Sequence, residues 1–172
     1  MSYSEHFVIN NSLRPGDAIM LKKKFFGMFD HFTVYLGREE YTNRPVFAAN
    51  YTNGVTILTD KEVNHFLQTL EPTKIDRFNW TNHQRDLAVQ RAFTYKDSKN
   101  YNLIFNNCEH YKNFVQIGRK YSRQVNTASN TLLLSGGTAV VAGLASKNSK
   151  VAGWGLFALA LGALAKLAAD QD

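Results

Sequence analysis

The composition of the chain changes abruptly near Arg123, and this change limits how many folded units it can form. The residues before it mix charged, polar and aromatic side chains. The residues after it form two runs with almost no charge, TLLLSGGTAVVAGLA and VAGWGLFALALGALAKLAA, separated by SKNSK. At 172 residues the chain has room for one domain of ordinary size and an appendage. We therefore predict a soluble domain over residues 1–124 and a hydrophobic, membrane-associating tail over residues 125–172.

The tail predicts a re-entrant or interfacial helical hairpin rather than two complete membrane spans. The run from Val151 to Ala165 has 15 uncharged residues, which as a helix extend roughly 22 Å against a hydrocarbon core of about 30 Å. Ser135, Gly136 and Gly137 interrupt the first run, and two complete spans would leave the lysines of SKNSK on the far side, against the positive-inside tendency. The glycines and alanines permit close contact between the two helices. The alternative is that the tail packs on the soluble domain.

The net charge and the cysteine content limit the classes of binding partner and the cellular compartment that we expect. The formal net charge of +6 favours acidic partners, which include both nucleic acid and anionic lipid. The single cysteine cannot form an internal disulfide, so nothing requires an oxidising compartment. The first residues show no positive cluster followed by an apolar stretch, as a secretory signal would. These features favour the cytosolic face of a cell.

Periodicity and turn signals predict an α+β fold. Three or four antiparallel strands are expected over PGDAIMLKK, HFTVYLG, PVFAANY and VTILT, with a further short strand near IDRFNW. Two capping boxes, Thr59 with Glu62 and Thr81 with Gln84, predict the starts of two helices. We therefore expect a small antiparallel sheet with helices packed on it.

The only cysteine, Cys108 in FNNCEHYKNF, lies in the first turn of another predicted helix, which Asn106 or Asn107 can cap. The amides and the dipole at a helix start stabilise a thiolate, lower the thiol pKa, and can bind the oxyanion of a tetrahedral intermediate. This position suits a nucleophile, but free cysteines are also among the most buried residues, so a structural cysteine is the alternative. Polar residues of this helix are expected largely on the other face, namely Lys112, Asn113, Gln116 and Lys120.

A thiol nucleophile needs a general base, and the chain has five histidines. His6 lies in a start that we expect to be mobile. His65 and His83 lie on solvent-facing positions of predicted helices, and His110 follows Cys108 by two residues, on a different helical face. Surface or capping roles explain these four. His31 begins a half-buried strand whose inner face can meet the start of the cysteine helix, so it is the candidate base.

The segments LRPGD, DHFTVYLG and NNCEHYKNFV together resemble the lecithin:retinol acyltransferase family, and most closely its H-Ras-suppressor-like phospholipases and acyltransferases. That family is related to NlpC-type papain-like peptidases with permuted order, the histidine strand first and the cysteine helix last. The resemblance covers about Leu13 to Gly118, with Tyr111 in place of the phenylalanine of the family's cysteine box. It implies that Cys108 is the nucleophile and His31 the general base.

The residue that orients the imidazole is less evident. In this family a second histidine on the next strand often has that role, and Ala48 falls near its position here. Asn50, two residues along on the same strand face, can supply a carbonyl instead, as asparagine does in papain-like enzymes. We predict Asn50 as the third catalytic residue, with Asn43 or a simple dyad as alternatives. A chain in which nothing orients His31 would be a weak enzyme or none.

A basic and aromatic segment before His31 predicts membrane docking. Lysines bind anionic headgroups while aromatic rings enter the interface, and such a segment would place the active site on lipid. Its residues are Lys22, Lys23, Lys24, Phe25 and Phe26. A strand end with core aromatics is the structural alternative. Single-stranded nucleic acid could also bind such residues, but no nucleic-acid motif accompanies them and no nucleic-acid partner is expected. Basic residues just before the tail would keep the domain on the cytosolic leaflet, namely Arg119, Lys120 and Arg123.

These features predict a membrane-associated phospholipase or acyltransferase that needs no metal and no organic cofactor. Cys108 would take an acyl chain from a glycerophospholipid of a membrane surface, which we expect to be anionic, and pass it to water or to an amine or hydroxyl acceptor. A thiol peptidase or amidase is the enzymatic alternative. The other alternative is a non-enzymatic membrane-remodelling or host-interaction protein that keeps the histidine and asparagine-cysteine boxes, as some picornaviral proteins do.

Overall fold

The computed structural model describes residues 1–22, 31–51, 53–98 and 107–171 of the chain. The chain divides into two compact units, Met1–Arg119 and Lys120–Asp172. The first unit contains the histidine strand and the cysteine helix, and the second contains the hydrophobic tail.

A five-stranded antiparallel sheet forms the centre of the first unit, with the strand order β4-β3-β2-β1-β5. The strands are β1 (Ala18–Leu21), β2 (His31–Arg38), β3 (Pro45–Tyr51), β4 (Gly54–Leu58) and β5 (Pro72–Asp76). The sheet and its packed helices confirm the predicted α+β class.

The helices in the described part of this unit are α1 (Tyr3–Asn10), α2 (Asp60–Thr69), α3 (Asn82–Thr94) and α4 (Cys108–Ile117). The predicted capping boxes at the starts of α2 and α3 are confirmed. The expectation of a mobile start was wrong, because α1 forms there with a capping box of its own between Ser2 and Glu5. That serine-to-glutamate spacing is visible in the sequence and is the signal that reveals α1.

Two core clusters form because the side chains of each strand alternate between the faces of the sheet. One cluster contains Phe32 and Val34 of β2 together with Ala88 of α3 and Cys108 and Val115 of α4. The other cluster joins the alternate positions of the same strands to α1 and α2, through Tyr35, Phe47, Ala49, Val8, Val63 and Leu67. The cysteine helix therefore packs on one defined face of the sheet.

The predicted strand near IDRFNW is wrong beyond Asp76, where β5 ends. The chain leaves the sheet because Phe78 is held by other groups: its amide donates to Asp17 Oδ1 at 2.9 Å, and Arg85 donates to its carbonyl oxygen.

Asp17 is buried and pairs with both Arg77 and Arg85. Gly16 precedes it with a φ of 91°, and a Cβ there would lie 2.6 Å from the Phe78 ring. The PGD segment thus contacts Phe78 and holds the chain in place where it leaves β5.

The second unit is a pair of apolar helices, α5 (Arg123–Ala145) and α6 (Ser149–Ala169), with two short paired strands, β6 (Lys120–Tyr121) and β7 (Asp170–Gln171). Glycines bring the helix backbones together, as the sequence predicts. A Cβ on Gly136 would lie 2.8 Å from the Gly155 carbonyl oxygen, and one on Gly155 would lie 2.6 Å from the Val140 nitrogen. The predicted helical hairpin is confirmed.

Both helices of the pair are longer than the uncharged runs inside them. With 23 and 21 residues they extend about 34 and 31 Å, close to the thickness of a hydrocarbon core. By length and composition both are long and apolar enough to cross a membrane. Large apolar side chains also remain exposed on this unit, including Leu134, Trp154 and Leu167, each more than 70% exposed (74%, 72% and 75%).

Candidate active site

Cys108 is the first residue of α4, and Asn107 is the N-cap of that helix. The Asn107 side-chain oxygen accepts hydrogen bonds from the amides of Glu109 at 2.9 Å and His110 at 3.1 Å. Asparagine is favoured at such a cap because its short side chain satisfies amides that lack an intrahelical partner. The predicted position of the cysteine at a helix start is confirmed, and its side chain is buried.

The helix cap uses backbone amides of the first turn that could otherwise donate to a substrate. We expected the amides of this turn to bind the oxyanion of a tetrahedral intermediate. Two of them, those of Glu109 and His110, already donate to Asn107. An oxyanion therefore needs a donor other than these two amides.

The polar residues of α4 contradict the solvent-facing interpretation, since Lys112, Asn113 and Gln116 are all buried. Lys112 pairs with Asp76 at 2.7 Å and lies over the Phe32 ring, with its Nζ 5.3 Å from the ring centre. Gln116 donates to the carbonyl oxygen of Gly16 at 2.9 Å. The fourth residue of that predicted face, Lys120, lies outside α4, in β6. The helix is therefore surrounded by protein and held in place by polar contacts as well as apolar ones.

His31 is the first residue of β2 and is buried. Its imidazole stacks on the ring of Tyr51, with 4.6 Å between the ring centres and 25° between the planes. The register of the sheet explains this contact: Thr33 pairs with Ala49 on β3, so two residues further along the ladder His31 lies opposite Tyr51. We did not identify Tyr51 as a site residue from the sequence, although pairing of the two predicted strands can place it opposite His31.

Asn50 lies next to Tyr51 on β3 and is buried. Its side-chain nitrogen donates to the carbonyl oxygen of Asn107 at 3.5 Å, so it connects the sheet to the start of the cysteine helix. Asn43, the alternative orienting residue, lies in the β2–β3 connection, where its carbonyl oxygen accepts from Arg38 at 2.6 Å. That connection is at the opposite end of the hairpin from His31.

Electrostatics link Tyr51 to the cysteine. Burial, followed by electrostatic interaction with Glu62 and then Cys108, raises the pKa of the Tyr51 hydroxyl far above its usual value. Cys108 thus lies within electrostatic reach of the ring that stacks on His31. The structure brings Asn50, Tyr51 and the start of α4 to the same end of the sheet, and His31 joins them through Tyr51.

The other histidines do not lie in comparable surroundings. His6, His65 and His83 are exposed on α1, α2 and α3. His110 is fully buried, and its Nδ1 lies 3.1 Å from the Asn107 side-chain oxygen, so it takes part in the helix cap. Tyr111, which replaces a phenylalanine of the family's box, donates from its hydroxyl to the Ala92 carbonyl oxygen at 3.4 Å.

Only the beginning of the proposed docking segment can be placed. Lys22 is exposed after β1, and its amide donates to the Glu71 carbonyl oxygen at 2.9 Å. The other four residues of that segment lie outside the described residues, namely Lys23, Lys24, Phe25 and Phe26. Within the described part of the chain, no group of three or more histidine, cysteine, aspartate or glutamate side chains could hold a metal ion.

Comparison with known proteins bears on the same residues. The sequence profile of a family described as lecithin retinol acyltransferase matches residues 11–121, which include the PGD segment, the histidine strand and the whole of α4. None of the curated proteins compared with the chain matches it. Because the matched region is well over half of the chain, the chain belongs to the lecithin retinol acyltransferase family.

Proposed function

We propose that this protein is a cysteine-dependent phospholipase and acyltransferase that works on the cytoplasmic face of membranes. Membership of its family supports acyl-transfer chemistry on lipids. The observation that carries the finer assignment is the position of Cys108 at the capped start of α4, where Asn50 of β3 donates to the cap residue and the next residue, Tyr51, stacks on His31. A thiol at a helix start is suited to nucleophilic attack when an imidazole takes its proton.

In the first step His31 takes the proton of the Cys108 thiol, and the sulfur attacks the ester carbonyl carbon of a glycerophospholipid. A carbon–sulfur bond forms and the carbon–oxygen bond to the glycerol breaks. The imidazolium returns its proton to the departing alkoxide. The products are a lysophospholipid and an acyl-thioester on Cys108.

In the second step water, or an amine or hydroxyl acceptor, attacks the thioester carbonyl. His31 removes the proton of the acceptor, the carbon–sulfur bond breaks, and the thiolate recovers a proton from the imidazolium. Water gives a free fatty acid, and another acceptor gives an acylated product. This cycle uses the chain's own side chains and consumes no oxidant or reductant.

The helix pair supplies the membrane contact of this proposal. Its exposed apolar side chains and the length of α5 and α6 suit insertion into lipid. Basic residues beside the pair, such as Lys120 and Arg123, favour a cytoplasmic orientation of its ends.

The intact mass of the protein after mixing with phospholipid vesicles tests the assignment. We expect an added acyl chain that is absent in Cys108→Ser and that disappears with time in favour of free fatty acid. Cleavage of peptide substrates without such an adduct would favour the peptidase alternative. Vesicle leakage that persists in Cys108→Ser, again without an adduct, would indicate a non-enzymatic membrane protein.

A further inference from the structure

We propose that Tyr51 is the residue that positions the His31 imidazole, through the stacking of its ring. This role deepens the proposed function and rests on it, because it presupposes that His31 is the general base. It differs from the sequence-based expectation, in which Asn50 orients the imidazole.

The geometry of the two rings supports this role. Their centres are 4.6 Å apart and their planes differ by 25°, which is the separation and tilt of a stacked aromatic pair. A histidine side chain turns about two bonds, and a ring lying flat against the imidazole restricts rotation about both. Because Tyr51 contacts the face of the imidazole, this contact does not use the two nitrogens on the ring edge.

Tyr51 is itself held firmly enough to act as a support. Its backbone pairs with Gly54 in the β3–β4 ladder, and its ring packs against Phe66 of α2, 5.6 Å away between centres. Phe66 is in turn part of the packing around the second core cluster. The sheet and α2 therefore hold the tyrosine ring, and the ring in turn holds the imidazole.

The stacked ring also affects the charge that His31 acquires. When the imidazole takes the thiol proton it becomes a cation, and the face of an aromatic ring stabilises a cation beside it. Because burial and nearby negative charge raise the pKa of the Tyr51 hydroxyl, Tyr51 stays neutral and does not compete for that proton. Tyr51 thus favours the imidazolium and, with it, the thiolate form of Cys108.

Asn50 has a different connection. Its side chain donates to the backbone of the helix cap at Asn107. Asn50 and Tyr51 are consecutive on β3, but their side chains make different contacts. The asparagine holds the helix of the nucleophile, and the tyrosine holds the base.

Three variants test the role of the Tyr51 ring in the full-length protein. Tyr51→Leu removes the ring, and Tyr51→Phe keeps the ring and removes the hydroxyl. Tyr35→Leu is the matched control, because it removes a buried tyrosine ring of the same core cluster that packs on Phe47 instead of His31. Two rates are measured for each variant, namely alkylation of Cys108 by iodoacetamide across pH and hydrolysis of phospholipid in mixed micelles.

Tyr51→Leu should slow alkylation at neutral pH and lower kcat by about tenfold to a hundredfold, with KM changed less than about threefold, since misplacing a reacting group by an ångström has such costs. Tyr51→Phe should recover most of both losses, and Tyr35→Leu should change both rates by less than about threefold. Equal losses in Tyr51→Leu and Tyr35→Leu would overturn the assignment, as would equal losses in Tyr51→Leu and Tyr51→Phe.

Histidine NMR of the lipid-free protein separates failure of this inference from failure of the proposed function. In the wild type the stacked ring should shift the carbon-bound protons of His31 upfield, and the shift should vanish in Tyr51→Leu. Unshifted His31 protons in the wild type would refute the stacking, even if Tyr51→Leu fails to fold. Stacking with normal alkylation behaviour, in a protein that forms no acyl adduct, would instead refute the phospholipase assignment alone.

Discussion

The side-chain nitrogen of Asn50 lies 3.5 Å from the carbonyl oxygen of Asn107, so a residue of the sheet holds the residue that caps the cysteine helix. The next residue on the strand, Tyr51, stacks on His31. Two consecutive positions of β3 thus contact both the helix that begins with Cys108 and the candidate base. Small movements of the end of β3 would therefore move both the start of the cysteine helix and the His31 imidazole.

Replacing Asn50 with alanine should therefore affect stability and turnover together. Loss of one buried hydrogen bond costs about 0.5–1.5 kcal/mol of unfolding free energy, and movement of the helix start should lower kcat more than lipid binding. Urea unfolding, kinetics and vesicle binding measure the three effects. Asn43→Gly is the control, because Asn43 lies at the other end of the hairpin with a φ of 54°, which glycine adopts without strain. Unchanged kcat in Asn50→Ala would remove Asn50 from the site.

The reactivity of Cys108 is a second prediction. If the thiol is a nucleophile supported by His31, iodoacetamide should label it in the native state near neutral pH, and His31→Ala should slow labelling about tenfold or more. Cys108→Ser should abolish turnover with little change in thermal stability. His83→Ala is the control, since His83 is exposed on α3. Labelling that occurs only after unfolding would return Cys108 to a structural role.

The helix pair gives a prediction about packing. A Cβ on Gly143 would lie 2.8 Å from the Ala152 Cα, whereas one on Gly137 meets no atom within 4 Å. Gly143→Ala should destabilise the pair by about 1–3 kcal/mol, because overpacking forces the helices apart. Gly137→Ala should be neutral or stabilise the pair by up to about 1 kcal/mol, because alanine favours helix. Denaturation followed by Trp154 fluorescence, in a Trp80→Phe background, measures both; equal effects would contradict the close packing.

The capping box of α2 makes a pH-dependent contribution. Hydrogen bonds from the Thr59 hydroxyl and amide lower the pKa of Glu62 below its ordinary 4.5. Its ionised form therefore stabilises the fold above that value, and the contribution is lost as the pH falls through the lowered pKa. Wild type should exceed Glu62→Gln in unfolding free energy by about 0.3–1 kcal/mol at pH 7, with the difference vanishing under acid.

Urea unfolding from pH 7 to pH 3 measures that difference. The box at the start of α3 provides the matched control, because Gln84 occupies the same position there without a charge. Gln84→Glu should introduce the pH dependence that Glu62→Gln removes. A difference between wild type and Glu62→Gln that is constant with pH would contradict the role of the charge.

Removal of the tail should separate the lipid-processing activity from attachment to membranes. A chain ending at Gln124 should be soluble and still process short-chain or detergent-dispersed lipid. The full-length protein should stay on vesicles through a high-salt wash, because burial of apolar side chains, at about 0.8 kcal/mol per methylene, is not screened by salt. Vesicle flotation tests this contrast. Loss of the full-length protein into the wash, or unfolding of the truncated chain, would show that the tail is not a membrane element.

Local sequence signals predicted the local structure well. Capping residues revealed the starts of α2, α3 and α4, and alternation revealed the strands, because both depend on residues within a few positions of each other. The same rule finds α1 from Ser2 and Glu5.

Long-range partners account for what the sequence did not reveal. The burial of Lys112 depends on Asp76, 36 residues away, and that of Gln116 on Gly16, 100 residues away. A polar residue looks solvent-facing in a helical pattern until its distant partner is known. Tyr51 was overlooked for a similar reason, since its contact with His31 depends on strand register rather than on any local motif.

The burial of α4 on nearly all sides affects how this segment should be interpreted in related sequences. Most of its residues are required by packing, by the helix cap or by an ion pair, independently of any reaction. A descendant that lost the chemistry would still need this segment to fold, so selection for stability alone would preserve its pattern. The presence of the cysteine box in a genome therefore identifies the fold more securely than it identifies an active enzyme.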